Sequence, residues 1–204
     1  MKIQSLQFNQ DSIAIVFHDS QKKYVIPYSE WKSQYQSQQE VSSEEYQQIV
    51  LCAEKYEIMQ KALDLLARRE HSQKELFHKL KTRYQNRELI NTVVDELHQK
   101  GIQSEERYAK MFMSTRIAQT EYGPYYLLQE ALSKGISKEV AQKWLYEFAS
   151  EELWLEKARR VLRRSNHEKK DQKQKQKLWQ KLYRKGFSSE LIHVVIHEWD
   201  SYED

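Results

Sequence analysis

The sequence predicts a mainly α protein: a curved, elongated tandem array of three three-helix repeats, preceded by a small antiparallel β meander. Three observations predict it. Glycine and proline number only 4 and 2 in 204 residues, which argues for long helices and few tight turns. Three of those glycines stand in Lys-Gly-apolar triplets: Lys100-Gly101-Ile102, Lys134-Gly135-Ile136 and Lys185-Gly186-Phe187. Leucine pairs four apart, Leu76/Leu80, Leu128/Leu132 and Leu178/Leu182, recur at intervals of 52 and 50, with a later apolar anchor at Ile90, Val140 and Ile192. A period near 50 with one supersecondary unit per interval is the mark of a repeat array.

The first thirty residues follow a period of two. Leu6 and Phe8 alternate, then Ile13, Ile15 and Phe17, then Tyr24, Ile26 and Tyr28, with turn residues at Asn9-Gln10-Asp11 and Asp19-Ser20-Gln21. This is a three-strand meander. Pro27 belongs at a strand end or an edge. Ser29 is placed to cap a short helix carrying Trp31 and Tyr35.

From Ser42 the period becomes helical. Ser42 and Glu45 form a capping box, and Tyr46, Ile49, Val50, Ala53 and Tyr56 follow at helical steps. Whether this helix breaks before Ala62 the pattern leaves open. Ser72 and Glu75 repeat the capping signal, so Arg69-Glu70-His71 is the turn before a second helix carrying Leu76 and Leu80. A third holds Leu89, Ile90, Val93, Val94 and Leu97. In the triplets, glycine takes the left-handed conformation after a helix, the next apolar residue packs back, and lysine suits the negative helix end. They are helix stops, because a phosphate cradle needs several glycines in one turn. Gly123-Pro124 opens a helix with proline at its first position. The expected divisions are 1–58 (meander and helices), 59–103, 104–150 and 151–204 (one repeat each).

Charge is unevenly spread. From Arg159 to Lys185, twelve Lys or Arg face two acids, Glu168 and Asp171, so the block is +10 and the remainder −7. Such a block points to a polyanionic or acidic partner, against the plainer reading of a solvated helix face. The last residues, Glu198 to Asp204, are acidic. One cysteine, Cys52, allows no internal disulfide and suits a reducing compartment. With no apolar leader and no run of about 20 apolar residues, the expectation is a soluble cytoplasmic protein.

Catalytic constellations are not found. His193 and His197 lie four apart, but Val194 stands where a metalloprotease helix needs Glu, so no metal site is assigned. Cys52 falls among apolar helix positions with no basic cluster to activate it. Trp144, Trp154, Trp179 and Trp199 lie on predicted helices, where packing is favoured over base stacking. Neither a P-loop nor paired catalytic carboxylates can be placed. The expectation is a protein that is not an enzyme and uses no cofactor.

These anchors resemble the RecX family of regulators of the RecA recombinase. Ala62, Leu66, Arg69, Ser72, Glu75 and Leu76 match its A-x3-L-x2-R-x2-S-x2-E-L pattern. Glu105-Glu106-Arg107-Tyr108-Ala109 resembles its acidic-R-[FY]-A run, and Arg116, Gly123, Leu132 and Lys134-Gly135-Ile136 continue the match. Leu182, Gly186-Phe187 and Ile192 extend it through the third repeat. Two positions depart from the pattern. Ser104 stands where the family usually has an acid, and Tyr125-Tyr126 where it often carries basic residues. The resemblance implies a monomeric regulator that binds the RecA filament on single-stranded DNA and lowers its ATPase, recombinase and coprotease activities. Arg68, Arg69, Arg116, Arg159, Arg163, Arg164, Lys169, Lys170 and Lys173 are the candidate contacts with RecA or DNA. The alternative is a helical-repeat nucleic-acid-binding protein acting independently of RecA.

Overall fold

The computed structural model describes residues 1–19, 22–30, 35–165 and 172–201. Three strands, β1 (Ile3–Phe8), β2 (Ser12–Phe17) and β3 (Lys23–Pro27), form an antiparallel sheet in the order β1-β2-β3. The buried face carries Ile13, Ile15, Phe17, Tyr24 and Ile26. Alternation fails in β1. A bulge between Ile3 and Ser5 shifts the register, so Ile3 pairs with Phe17 and Leu6 with Ile15 on one face; an extra residue reverses the parity of all that follows. Phe8, expected inside, is 60% exposed at the strand end. Pro27 ends the edge strand β3, where its missing N–H interrupts no ladder. A 3-10 turn covers Tyr28–Glu30, and the short helix expected after Ser29, with Trp31, falls mainly on residues 31–34, outside the described residues.

Helix α1 (Ser43–Arg68) runs unbroken for 26 residues and ends at Arg69. Both halves of the Ser42/Glu45 capping box are made. Its first half covers the sheet through Ile49 and Ala53. Tyr46 meets Phe17 and Tyr24 edge-on there, its hydroxyl 3.0 Å from that of Tyr24. Its second half, through Ile58 and Ala62, packs with α2 (Gln73–Lys81) and α3 (Arg87–Gln99) around Leu76, Leu80, Ile90, Val93 and Leu97. At about 1.5 Å per residue, one helix thus serves both the meander and the first repeat, with no break at 58/59.

The chain forms two compact units. Met1–Arg69 with Glu75–Gln103 is one, and Glu70–Lys74 with Ser104–Asp204 is the other. The second holds α4 (Glu105–Gln119), α5 (Pro124–Ser133), α6 (Lys138–Phe148), α7 (Glu151–Arg163), α8 (Gln172–Arg184) and α9 (Ser189–Ser201). Helices α4–α6 enclose Tyr108, Met113, Leu127, Ala131, Ala141 and Leu145. Helices α7–α9 enclose Ala158, Leu162, Leu178, Leu182, Phe187 and Ile192.

The repeat is more regular than the leucines suggest. In α5 the fully buried positions are Leu127 and Ala131, while Leu128 and Leu132 are half-buried; in α6 it is Ala141, not Val140. With these, Leu76, Leu127 and Leu178 recur every 51 residues, as do Leu80, Ala131 and Leu182, and Ile90, Ala141 and Ile192. Two of these core positions are alanines, whose small side chains hide the register from a search for leucine.

All three glycine stops have positive φ. Each shows the double hydrogen bond that closes a helix end. Ile102 N–H donates to Leu97 O, Ile136 N–H to Ala131 O and Phe187 N–H to Leu182 O, while Gly101, Gly135 and Gly186 donate to His98 O, Leu132 O and Tyr183 O. Ile136 and Phe187 are buried, but Ile102 is 41% exposed. Gln103 takes the buried place instead, its side-chain oxygen 2.9 Å from His98 Nδ1. Gly101 also ends a third helix, whereas Gly135 and Gly186 end second helices 51 residues apart.

Candidate functional site

Unit 2 holds two junctions at equivalent positions, the first made by side-chain donors and the second by backbone N–H groups. Ser72 Oγ donates to Lys134 O at 2.7 Å, and Lys74 Nζ to Ser133 O at 2.9 Å. Fifty-one residues on, Gly123 N–H donates to Lys185 O at 2.8 Å, and Tyr125 N–H to Gly186 O at 3.1 Å. In each case the start of one second helix is bonded to the end of the next. Ser72 opens α2 as expected from its spacing, while Glu75 receives Arg69 at 3.0 Å. Gly123 has an ordinary φ of −81°. It is glycine because a Cβ there would lie 2.3 Å from Gly186 O.

A buried cation ties α7 to the end of α4. Lys157 on α7 is 3% exposed and its ammonium donates to Ile117 O and Thr120 O, at the C-terminal end of α4. Those carbonyls have no helical partner, and the helix dipole favours a cation there. Burial holds the Lys157 pKa below its usual value. Arg164, at the end of α7, pairs with Glu121 at 2.9 Å.

The candidate basic residues fall into distinct settings. Arg68 and Arg69 lie at the end of α1 in unit 1, both exposed. Arg116 on α4 is fixed by Glu130 on α5 at 2.9 Å. Arg159 makes a two-pronged bond to Glu198 at 2.8 and 2.9 Å and a third bond to Glu152. These carboxylates hold the guanidinium pKa above its usual value, and Arg159 in turn holds Glu198 below the ordinary carboxylate range. Arg163 and Lys173 are exposed and have no ion-pair partner among the described residues. Lys169 and Lys170 lie outside the described residues.

The +10 block is therefore partly neutralised by folding. Acids from outside it meet Arg159 (Glu152, Glu198), Arg160 (Glu156), Arg164 (Glu121) and Lys175 (Asp200). The cations left exposed without such partners include Arg163, Lys173, Lys177 and Arg184. Arg163 borders a cleft of about 390 Å³ between α7 and α9, beside Trp199 and Val195.

Of the tryptophans, Trp144 and Trp154 are buried, and Trp179 and Trp199 pack partly against the α7–α9 core. Among the described residues of unit 2, the large exposed rings are tyrosines instead: Tyr125, Tyr126, Tyr146 and Tyr183. Helical periodicity gave no signal for them, because they lie off the apolar stripes. Cys52 is half-buried in unit 1, and burial pushes its thiol pKa up. His193 and His197 are both exposed. Among the described residues, no helix is long and apolar enough to cross a membrane.

Three models of the RecX family match the chain in order. Its first three-helix domain covers residues 59–97, its second 104–145 and its third 151–196. The regulatory protein RecX of Pseudomonas putida is 38% identical over 107 residues, 52% of this chain and 73% of that protein. That of Pseudomonas syringae pv. tomato is 38% identical over 107 residues, covering 52% and 67%. That of Pseudomonas fluorescens strain SBW25 is 43% identical over 77 residues, 38% of this chain and 49% of that protein. The match thus spans only about half the length of this last relative. A crystal structure of regulatory protein RecX superposes with a TM-score of 0.73 at 20% identity, covering 95% of this chain and 98% of that one. RecX from Lactobacillus salivarius gives 0.60 at 23%, covering 72% and 96%. With three-helix domains matched in order across most of its length, the chain belongs to the RecX family.

Proposed function

We propose that this protein is a non-enzymatic cytoplasmic regulator that binds the RecA filament on single-stranded DNA and lowers its ATPase, recombinase and coprotease activities. The observation that carries the reading is the match to three consecutive RecX domains, whose curated relatives are named regulatory proteins. The charge distribution supports it. Arg163, Lys173 and Lys177 remain exposed without acidic partners after folding, and such groups meet phosphates or acidic protein walls. Arg164 is 72% exposed despite its bond to Glu121, so it can exchange that partner for a phosphate. Arg68, with Arg69 and Arg116, supplies further contacts. Arg159 holds α7 to α9 and orients its neighbours.

The test is RecA-dependent ATP hydrolysis on single-stranded DNA, with and without the protein. Inhibition is expected. Replacing Arg163, Arg164, Lys169, Lys170 and Lys173 together by Gln should weaken it. Exposed substitutions change stability by within about 0.5 kcal/mol each, and losing the Arg164–Glu121 pair adds at most about 1 kcal/mol. A folded variant that inhibits as well as the parent would reduce the block to a solvated face and leave recognition to Arg68, Arg69 and Arg116.

A further inference from the structure

In unit 2, three exposed tyrosines gather where α5 meets the end of α8. Tyr125 is 60% exposed, Tyr183 57% and Tyr126 38%. They border a cleft of about 540 Å³ closed by the Gly186–Phe187 backbone, with Arg184 on its wall. Two of the three rings are held flat by other rings. Tyr126 stacks on Tyr122 with centroids 3.8 Å apart and planes within 9°, and Tyr183 stacks on Trp179 at 5.0 Å and 13°. Lys185 Nζ stands 4.7 Å from the Tyr122 ring centroid. The Gly123–Lys185 and Tyr125–Gly186 hydrogen bonds fix the spacing between the two groups of rings.

Two classes of partner use exposed tyrosine beside arginine: protein surfaces and unpaired nucleic acid. The lining of the cleft favours the second. Its residues are tyrosine, glutamine, serine, glycine and charged side chains around a buried phenylalanine, with no aliphatic side chain. A protein anchor needs an apolar socket, whereas a nucleobase needs a flat ring face and polar edges. Arg184 and Lys185 have no ion-pair partner among the described residues. The acid in the lining, Glu190, is bonded to its own backbone N–H and to Ser188 at the start of α9, and these bonds hold its pKa below the usual carboxylate value. Its fixed charge keeps phosphates on the rim and offers an acceptor to a base N–H. A second cleft, of about 990 Å³, shares Tyr125 but is lined by Leu128, Leu145 and Leu191, so the polar-edged surface is confined to the first.

We propose that Tyr125, Tyr126 and Tyr183 form a stacking platform for unpaired bases of a nucleic-acid strand, with Arg184 and Lys185 on its phosphates. This deepens the filament reading and takes its ligand from it. The test is direct binding of fluorescein-labelled oligothymidylate by the full chain, without RecA, read by fluorescence anisotropy across a salt series. Tyr125→Ala with Tyr183→Ala should weaken binding at least about 10-fold, since each stacked base is lost separately. Tyr125→Phe with Tyr183→Phe should bind within about 2-fold of the parent, because phenylalanine keeps the ring face. Arg184→Gln with Lys185→Gln should reduce the slope of log affinity against log salt by about 1.4, at roughly 0.7 per phosphate contact on a single strand. Circular dichroism checks that each variant is folded. An alanine variant that binds as the parent does overturns the platform, as does a parent that binds no oligonucleotide at low salt. So does an alanine variant that keeps oligonucleotide binding but loses inhibition of RecA, since the rings would then meet protein. Loss of oligonucleotide binding in the alanine variant, with a parent that has no effect on RecA hydrolysis, upholds the platform and refutes the filament reading instead.

Discussion

Gly123 and Gly101 separate two reasons for a glycine, and substituting alanine at each isolates them. At Gly101 φ is +67° and an added Cβ meets nothing within 4 Å. The cost of Gly101→Ala is backbone strain alone, about 1–2 kcal/mol for a left-handed L-residue, offset by about 0.4–1 kcal/mol from the restricted unfolded chain. A net loss of about 1 kcal/mol follows. At Gly123 φ is −81°, which alanine adopts freely, but its Cβ would lie 2.3 Å from Gly186 O, 2.5 Å from Gly186 C and 2.6 Å from Phe187 N. No rotamer relieves this, because every opposing atom is backbone. The segments must part by roughly 1 Å, and overpacking of that kind costs about 1–3 kcal/mol. Parting also breaks the Gly123–Lys185 and Tyr125–Gly186 hydrogen bonds, each worth about 1 kcal/mol. Gly123→Ala should therefore cost about 4 kcal/mol. The assay is urea denaturation followed by circular dichroism on both variants and the parent. The reasoning fails if Gly123→Ala lies within about 0.5 kcal/mol of the parent, or if Gly101→Ala proves the more damaging.

Other consequences can be measured in the same way. Gly135→Val combines φ +87° with a Cβ 3.1 Å from that of Lys74, so thermal unfolding should show a loss of more than about 1 kcal/mol; unchanged stability would remove its role as a helix stop. Lys157→Met removes the ammonium from Ile117 O and Thr120 O and should cost about 2–3 kcal/mol at neutral pH, because one buried and one part-buried carbonyl lose a charged donor. The folded pKa of Lys157 is depressed, so its charged form is penalised in the fold. Stability from this group rises with pH from that depressed value towards the unfolded value of about 10.4, and the Met variant should lack that rise in denaturation midpoints. Glu198 has a lowered folded pKa owing to Arg159. Its contribution is present above the unfolded carboxylate value of about 4.3 and is lost as pH falls through the folded one. Glu198→Gln should cost about 1 kcal/mol at neutral pH and flatten the acid limb of the stability profile; an identical acid limb would show that the Arg159 bond contributes nothing.

The candidate site was less legible in the sequence than the fold. Counting charge along the chain marked Arg159 to Lys185, yet Glu121, Glu198 and Asp200 reach several of those cations from other elements. Linear charge does not record which acids a fold returns to a base. Tyr125 and Tyr126 stand out in the sequence only as a departure from the family pattern, and their grouping with Tyr183 is not legible there, since Tyr183 is brought beside the start of α5 only by the Gly123–Gly186 approach.

By itself the sequence determined what is local. The capping box at Ser42, the stops at Gly101, Gly135 and Gly186, proline at the first position of α5 and the period-two strands each follow from backbone sterics and nearby hydrogen bonding. The tertiary structure decided what depends on approach between distant segments. It set the β1 register through a bulge, the 51-residue core period through Ala131 and Ala141, the buried seat of Lys157, and the need for glycine at 123. Those features depend on which backbone or carbonyl comes within a few ångströms of a side chain, and only packing distant segments together sets that distance.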